Sequence, residues 1–469
     1  MTVRNKNFIG KKRRSASLAA LMLLVLVITV SCAAELDPHE SVATSQEVTK
    51  APALTEEDLS AYAPLPLIAS RYSIIYGSNA PDKVRLAAEE LAGKIAEAEN
   101  TSLSVYTDVQ TEVSRLELLI GETDRAESIE AAKLLGCMDY TIRITNGKIA
   151  ILGGGPLATV QAVRVFTEML FDGRIESLGS DFVYDYDYDR YFVDSLAFHI
   201  DTFVPAWANS FTPPAWMNDY DEKVYALTSP DGRITSSAHR GDVVNYPENS
   251  LEAILSAIML GADAVEIDIR LTKDNVMVLM HDETLLRTTD WQKKCGRNGL
   301  PKSPNIEDWT YEQLRELRLL YNGKPTESMI PTLYEAAILF SGRAQIHFDC
   351  KVSDKIDRDT DIYPLAEATG AKSSFFYSFG LDIMVKWLRY DSGDTDFRAF
   401  AKKATVYLAQ SGHSLRKSKF DLLQQYGDDP SGWQKAYNDG YKTVYTDNIL
   451  LFCRFSASKQ EPLKPINLN

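Results

Sequence analysis

Seven residues in four short segments have types and spacings that could do chemistry together. His239 and Arg240 stand side by side before Gly241, Glu266 and Asp268 lie two apart, His281 precedes Asp282, and Asp349 and Lys351 again lie two apart. In a strand, residues i and i+2 share a face, so each spaced pair presents two charges to one side. Two acids on an otherwise apolar strand are costly to bury unless a cation joins them. Hard divalent cations take such oxygen ligands, and three carboxylates can hold one ion. Two histidines can act as general base and general acid on opposite sides of a reacting centre. Arg240, Lys351 and the ion can neutralise a phosphate and the charge that develops on it. The set points to phosphodiester cleavage.

The elements that must position these residues can be read around them. Ile234–Ala238 is a short strand running into His239-Arg240-Gly241. Ser250 offers a capping hydroxyl for a helix that carries Leu251, Ile254, Leu255 and Ile258 on one face, and Gly261 stops that helix. Ala264–Ile269 is a strand with Val265, Ile267 and Ile269 on the face opposite the two acids, Val276–Met280 is a strand ending at His281, and Gln345–Lys351 is another. Functional residues at the C-terminal ends of successive parallel strands are the arrangement of a (β/α)8 site. The expected fold class is therefore α/β, a TIM-type barrel over residues 233–457, preceded by a smaller α+β domain.

Residues 236–450 resemble the glycerophosphodiester phosphodiesterase family. The matching motifs are His239-Arg240-Gly241, Pro247-Glu248-Asn249-Ser250, Gly261-Ala262-Asp263 with Glu266-x-Asp268, Thr272-Lys273-Asp274, His281-Asp282, Arg287-Thr288-Thr289, Ile330-Pro331-Thr332-Leu333 and Thr446-Asp447. The resemblance implies that Glu266, Asp268 and Asp349 bind one divalent cation, Ca²⁺ or Mg²⁺. It implies that His239 and His281 are the acid/base pair and that Arg240 and Lys351 hold the phosphate. The implied reaction is hydrolysis of a glycerophosphodiester, small or glycan-linked, to sn-glycerol 3-phosphate and an alcohol through a cyclic phosphate. Residues from about 283 to 330 match the family's insertion and are expected to form a lobe over the site.

Three features depart from the family pattern. Asp349 stands where Glu is usual, so its carboxylate reaches less far. The stretch from Ser378-Phe379 to Thr446-Asp447 is short, and the Trp-Thr-Val-Asn strand that normally falls there is absent. Lys403–Leu408 reads as a sixth strand and no seventh is evident, so the barrel is expected to lack about one βα unit. Two other readings stay open: a different phosphodiesterase or phospholipase that releases a cyclic phosphate, and a surface glycan- or phosphate-binding lipoprotein that has lost activity. Near the motifs, Glu248 reads as a first-turn acid favoured by the helix dipole, and Asp282 as a supporting turn residue. His347 either faces the barrel interior or sits in the core.

The 469 residues are 45% hydrophobic and 25% charged, an ordinary globular balance. A net charge of −15 is the wrong sign for a nucleic-acid partner. Residues 1–34 have a basic start, an apolar run at Leu18–Val30 too short to span a bilayer comfortably, and Cys32 after a small residue. They read as a leader whose Cys32 becomes a lipidated first residue, with a plain signal-peptidase cut as the alternative. Either way the chain is expected outside the cytoplasm, and on the lipidated reading it is anchored in the bacterial periplasm or on the cell surface. Cys137, Cys295, Cys350 and Cys453 are scattered and read as free thiols.

Residues 35–69 read as a tether and 458–469 as a tail. Between about 70 and 172 an α+β sandwich is expected, with a hairpin turning at Asn146-Gly147. This segment resembles the accessory domain that precedes the catalytic barrel of α-glucuronidases and β-hexosaminidases, through Ala87-Ala88-Glu89-Glu90-Leu91, Leu118-Leu119-Ile120-Gly121 and the hairpin entering Gly153-Gly154. Gly153–Ala158 fits a GxGxxA dinucleotide pattern, but its strand belongs to a hairpin rather than a βαβ unit, so a tight strand-to-helix turn is expected. Residues 173–232 read as an aromatic-rich connection, in which Tyr184, Tyr186 and Tyr188 alternate with acids along an edge strand.

Overall fold

The computed structural model describes residues 69–171, 182–188, 200–220, 223, 234–371, 374–378, 386–387, 427–439 and 443–459. The expected leader, Cys32, most of the tether, the Lys403–Leu408 strand and most of the tail lie outside these residues.

The first module is built on six strands: β1 (Ser73–Tyr76), β2 (Val105–Thr107), β3 (Glu117–Ile120), β4 (Tyr140–Thr145), β5 (Lys148–Gly153) and β6 (Val183–Tyr186). Their order is β2-β1-β3-β5-β4-β6; the first four are parallel, and β4 runs antiparallel to both β5 and β6. Asn146 and Gly147 close the hairpin with φ of 54° and 82°, the doubly left-handed turn whose twist suits paired strands. Helices α1 (Asp82–Ala98) and α3 (Pro156–Phe171) bury Val84, Ala88, Leu91, Ile95, Ala162 and Phe166 against Ile74, Leu118 and Ile151. The shorter α2 (Ala126–Ala132) packs Ala131 on Ala150 and Leu152 across the sheet. A Cβ on Gly153 would lie 2.5 Å from Ala158, and one on Gly154 would lie 1.9 Å from the Gly136 carbonyl oxygen. These glycines therefore permit close backbone packing at a tight turn. β6 is half-buried on alternate residues, as an edge strand should be.

The second module contains β7 (Thr235–His239), β8 (Ala264–Leu271), β9 (Met277–Leu279), the small ribbon β10 (Leu320–Tyr321) and β11 (Lys324–Pro325), then β12 (Gln345–Cys350), β13 (Phe375–Ser378), β14 (Lys386–Trp387) and β15 (Thr443–Thr446). The main sheet is ordered β14-β13-β12-β8-β7-β15, with parallel pairing from β13 through β15. Val265, Ile267 and Ile269 are buried, and so are Glu266 and Asp268; burial on both faces is the mark of a parallel strand covered by helices. Helix α4 (Leu251–Met259) is capped by the Ser250 hydroxyl, which accepts from the Ala253 N–H at 3.1 Å. Helix α5 (Leu333–Phe340) starts with a capping box formed by Thr332 and Glu335. Helices α6 (Tyr363–Ala368), α7 (Pro430–Asn438) and α8 (Ile449–Ala457) follow, and the short helices Trp291–Lys294 and Tyr311–Leu314 lie between β9 and the β10–β11 ribbon.

One sequence expectation needs correction. Val276–Met280 does not join the parallel circuit; β9 pairs antiparallel with β8, Ile269 opposite Leu279 and Leu271 opposite Met277. An apolar run reads the same in either direction, so only the tertiary pairing reveals it. The insertion is also more integrated than a lid: Trp309, Tyr311, Leu314, Leu317 and Leu319 belong to the same apolar core as β8 and β9.

The two modules are joined by specific contacts. Lys83 pairs with Asp361 and donates to the Lys355 carbonyl at 3.0 Å, Arg164 donates to the Lys273 carbonyl, and the buried Tyr188 hydroxyl meets Thr332 Oγ1 at 2.5 Å. From the connection, Trp207 Nε1 donates to Ser256 Oγ at 2.8 Å, and Lys223 Nζ to the Arg343 carbonyl at 2.8 Å.

Candidate active site

Glu266, Asp268 and Asp349 each bring a carboxylate oxygen within 4.8 Å of the others. Strand register explains this convergence: β12 pairs with β8 so that Asp349 lies opposite Asp268, and β7 pairs with β8 so that His239 lies opposite Glu266. His281 arrives by a different route. Beyond Asp268, β8 continues to Leu271, the chain turns, and β9 returns until the Met280 N–H donates to the Asp268 carbonyl at 3.0 Å. The antiparallel excursion thus brings His281 back to the level of Asp268.

Each histidine has its own carboxylate. His239 Nδ1 is 2.7 Å from Asp447 Oδ1, and His281 Nδ1 is 2.7 Å from Asp282 Oδ1. A proton on each Nδ1, shared with the carboxylate, would fix the ring and leave Nε2 as the exchanging nitrogen. Asp447 is itself anchored: its N–H donates to Asp428 Oδ2 at 2.8 Å, while Asp428 Oδ1 accepts from Thr446 Oγ1 and Trp433 Nε1. Asp282 is gripped by Arg287 at 2.6 and 3.0 Å. This guanidinium, first among the causes, holds the Asp282 carboxyl well below the usual carboxylate range. Arg270 Nε donates to the His281 carbonyl at 3.0 Å.

The cations are equally well held. Arg240 sits in the left-handed region at φ 58°, its N–H donating to the Glu266 carbonyl at 2.9 Å. Such a conformation in a non-glycine residue is the kind of strain that clusters at functional sites. Its side chain lies 3.1 Å from Asp268 Oδ2 and donates to Glu248 Oε1 at 2.9 Å. The following Gly241, at φ 92°, approaches α4 so closely that a Cβ would lie 2.7 Å from Ala253. Lys351 Nζ bridges Asp268 Oδ1 at 3.0 Å and Asp349 Oδ2 at 2.8 Å. Burial alone would raise the Asp268 carboxyl; Arg240, Lys351 and the Asn249 amide outweigh it and hold the group below its ordinary value.

All seven sequence-selected residues of the second module therefore come together. Glu248 is not the first-turn acid expected: α4 begins at Leu251, and Glu248 accepts from Arg240 and, at 2.6 and 2.8 Å, from Arg287. Sequence reasoning assigned no role to Asn249, whose amide donates to Asp268 Oδ2 at 2.9 Å and accepts from the Asp268 N–H at 3.1 Å. It also gave none to Asp447, although both residues lie inside motifs it quoted. Asp428 carried no local signal beyond a turn-rich Gly427–Pro430 segment. His347 is buried, with Nδ1 3.0 Å from Ser237 Oγ and 3.2 Å from Tyr445 Oη, and burial pushes its pKa down to about 4.

The donor set suits a hard divalent cation. It is made only of carboxylate oxygens, which such ions prefer. Around it, five carboxylates (Glu248, Glu266, Asp268, Asp282, Asp349) face three fixed cations (Arg240, Arg287, Lys351), an excess of two negative charges, the charge of one such ion.

Residues 239–370, which contain all seven, match the model of the glycerophosphoryl diester phosphodiesterase family. The chain is an α/β protein whose similarity to that family lies at these residues. It is 35% identical over 144 residues to a glycerophosphodiester phosphodiesterase of Caldanaerobacter subterraneus, covering 30% of this chain and 53% of that protein. To human glycerophosphodiester phosphodiesterase 1 it is 43% identical over 131 residues, covering 27% and 36%. The chain thus spans about half or less of the length of these curated relatives. Among solved structures, a glycerophosphoryl diester phosphodiesterase from Parabacteroides distasonis is similar at 23% identity over 51% of this chain and 92% of its own, with a TM-score of 0.34.

Proposed function

We propose that this chain hydrolyses glycerophosphodiesters to sn-glycerol 3-phosphate and an alcohol, using one divalent cation, Ca²⁺ or Mg²⁺. The observation that carries this reading is the convergence of two carboxylate-oriented histidines on a cluster of three acids flanked by Arg240 and Lys351, within the segment matching the family. Glu266, Asp268 and Asp349 would hold the cation, which supplies charge neutralisation at phosphorus when bound. Arg240 and Lys351 would bind the phosphate oxygens. One histidine takes the proton from the attacking glycerol 2-hydroxyl through Nε2, and the other returns a proton to the departing alcohol. Asp447 and Asp282 keep the two rings in register throughout. Water then opens the cyclic phosphate with the two roles exchanged.

The substrate is either a deacylated phospholipid headgroup or a glycerophosphate-decorated glycan. The accessory-domain likeness of residues 70–172 favours the glycan by analogy alone. Phosphorus NMR of products from a panel of both kinds tests the reading. Glycerol 3-phosphate is expected; an accumulating cyclic ester would favour the alternative phosphodiesterase, and unreacted diester would favour the degenerate binder. The basic start and apolar run before Cys32 support an extracytoplasmic, lipid-anchored location. Loss of membrane fractionation in Cys32→Ala is the expected result, and unchanged fractionation would refute it.

A further inference from the structure

A second cavity, separate from the histidines and carboxylates just described, lies where the first module meets the barrel. It measures about 60 Å³, room for roughly four water molecules. None of the seven site residues lines it. Two acceptor atoms on its lining residues are buried and, among the described residues, have no hydrogen-bond partner: Gln161 Oε1 from α3 and Asp361 Oδ1 just ahead of α6. Gln161 is 9% exposed, and the Asp361 side chain is fully buried. The other Asp361 oxygen is already engaged by Lys83 and by the Asp357 N–H at 2.6 Å.

Buried acceptors left unmade are costly, so their retention points to an occupant that brings donors. The rest of the lining narrows its chemistry. Asp274 adds a carboxylate, and Tyr140, Tyr186 and Tyr188 supply aromatic surface, the first two rings stacked at 4.8 Å. No Lys, Arg or His is among the described lining residues. A hydroxyl would bring lone pairs of its own to this acceptor-rich wall, whereas an ammonium brings three donors, no acceptor and a positive charge. Aromatic faces also favour a cation.

We propose that this cavity binds a small primary alkylammonium of about four to six heavy atoms, its N–H groups donating to Gln161 Oε1 and Asp361 Oδ1 and its alkyl part lying among the tyrosines. The inference does not depend on the phosphodiesterase reading. Isothermal titration of the full chain with n-propylammonium tests it, with ethylene glycol and tetramethylammonium as comparators that lack, respectively, the charge and the N–H donors. Saturable binding is expected, at least tenfold tighter than either comparator. Gln161→Leu should weaken it at least tenfold while the ligand-free melting temperature holds or rises, because an orphan acceptor has been removed. Asp361→Asn should weaken it similarly, and His239→Ala should leave it unchanged. Absence of saturable binding, equal affinity for ethylene glycol, or full affinity in folded Gln161→Leu would each overturn the proposal. A tenfold loss in His239→Ala would place the ligand in the barrel site and overturn it as well.

Discussion

Each module buries a cluster of charges, and the two clusters are composed differently. In the first module Glu117 pairs with Arg125 at 3.4 Å and with Lys148 at 3.2 Å, and Lys148 also pairs with Glu127 at 3.2 Å. Two carboxylates with little exposed side chain meet two buried cations, and Arg125 spends its remaining donors on the exposed Asp124 carboxylate and on the carbonyls of Asp108 and Thr111. Leaving aside the solvent-exposed Asp124, that cluster is balanced inside the protein and ties β3, β5, α2 and the loop after β2 together. In the second module five carboxylates face three cations, with His281 held by Asp282 of that set and His239 by a further carboxylate, Asp447. A balanced cluster holds structure; an unbalanced one has capacity for a ligand. Burial by itself does not separate them, since Glu117, Glu266 and Asp268 are all inaccessible.

This contrast can be broken or sharpened by substitution. The largest effect on turnover should come from His239→Ala, a loss of about 10³-fold in kcat at unchanged folding, measured by release of glycerol phosphate. The largest effect on stability should come from the other cluster. Arg125→Ala would leave buried Glu117 short of a partner and should cost about 3–5 kcal/mol in denaturant unfolding, with kcat/KM of the remaining folded protein unchanged. Next, Asn249→Ala should weaken cation affinity about 10–100-fold by releasing Asp268, with a smaller change in melting temperature.

Arg287→Ala should be subtler and visible in the pH profile. Because Arg287 depresses the Asp282 carboxyl, its removal lets that group protonate at higher pH, so support for His281 is lost earlier on acidification. The acid limb of kcat should move to higher pH, and an unmoved limb would reduce Arg287 to a packing role. The smallest effect on stability should be that of Glu266→Gln, which relieves crowding among the three carboxylates. The chelated protein should melt at the same or a higher temperature, but added cation should no longer raise it; a clear fall in melting temperature would class this cluster with that of the first module.

How much of this was legible in the sequence follows from how local each signal is. His239-Arg240, Glu266-x-Asp268 and Asp349-x-Lys351 could be placed because period-2 alternation puts spaced acids on one face. The Asn146-Gly147 hairpin was equally plain, since few residues other than Asn and Gly accept φ above zero. The direction of β9 was not legible, because direction is fixed by pairing with β8 and leaves no mark on five apolar residues. The Asp447 carboxylate that orients His239 lies 208 positions away, and Asp428 behind it sits in an ordinary turn. Glu248 was misread because a carboxylate near a helix start has a sufficient local explanation, and only Arg240 and Arg287 closing on it supply the other. The expected sixth strand at Lys403–Leu408 lies outside the described residues.

The excess charge in the second module is expected to be matched by a divalent cation on which turnover depends. This expectation is tested most directly by stripping the chain with EDTA and following sn-glycerol 3-phosphate release as Ca²⁺ or Mg²⁺ is returned, with His239→Ala in parallel. The account predicts no product from the stripped protein, recovery as about one equivalent of cation binds, and none at any cation concentration in the variant. Undiminished turnover in EDTA, or cation-restored turnover in His239→Ala, would contradict it.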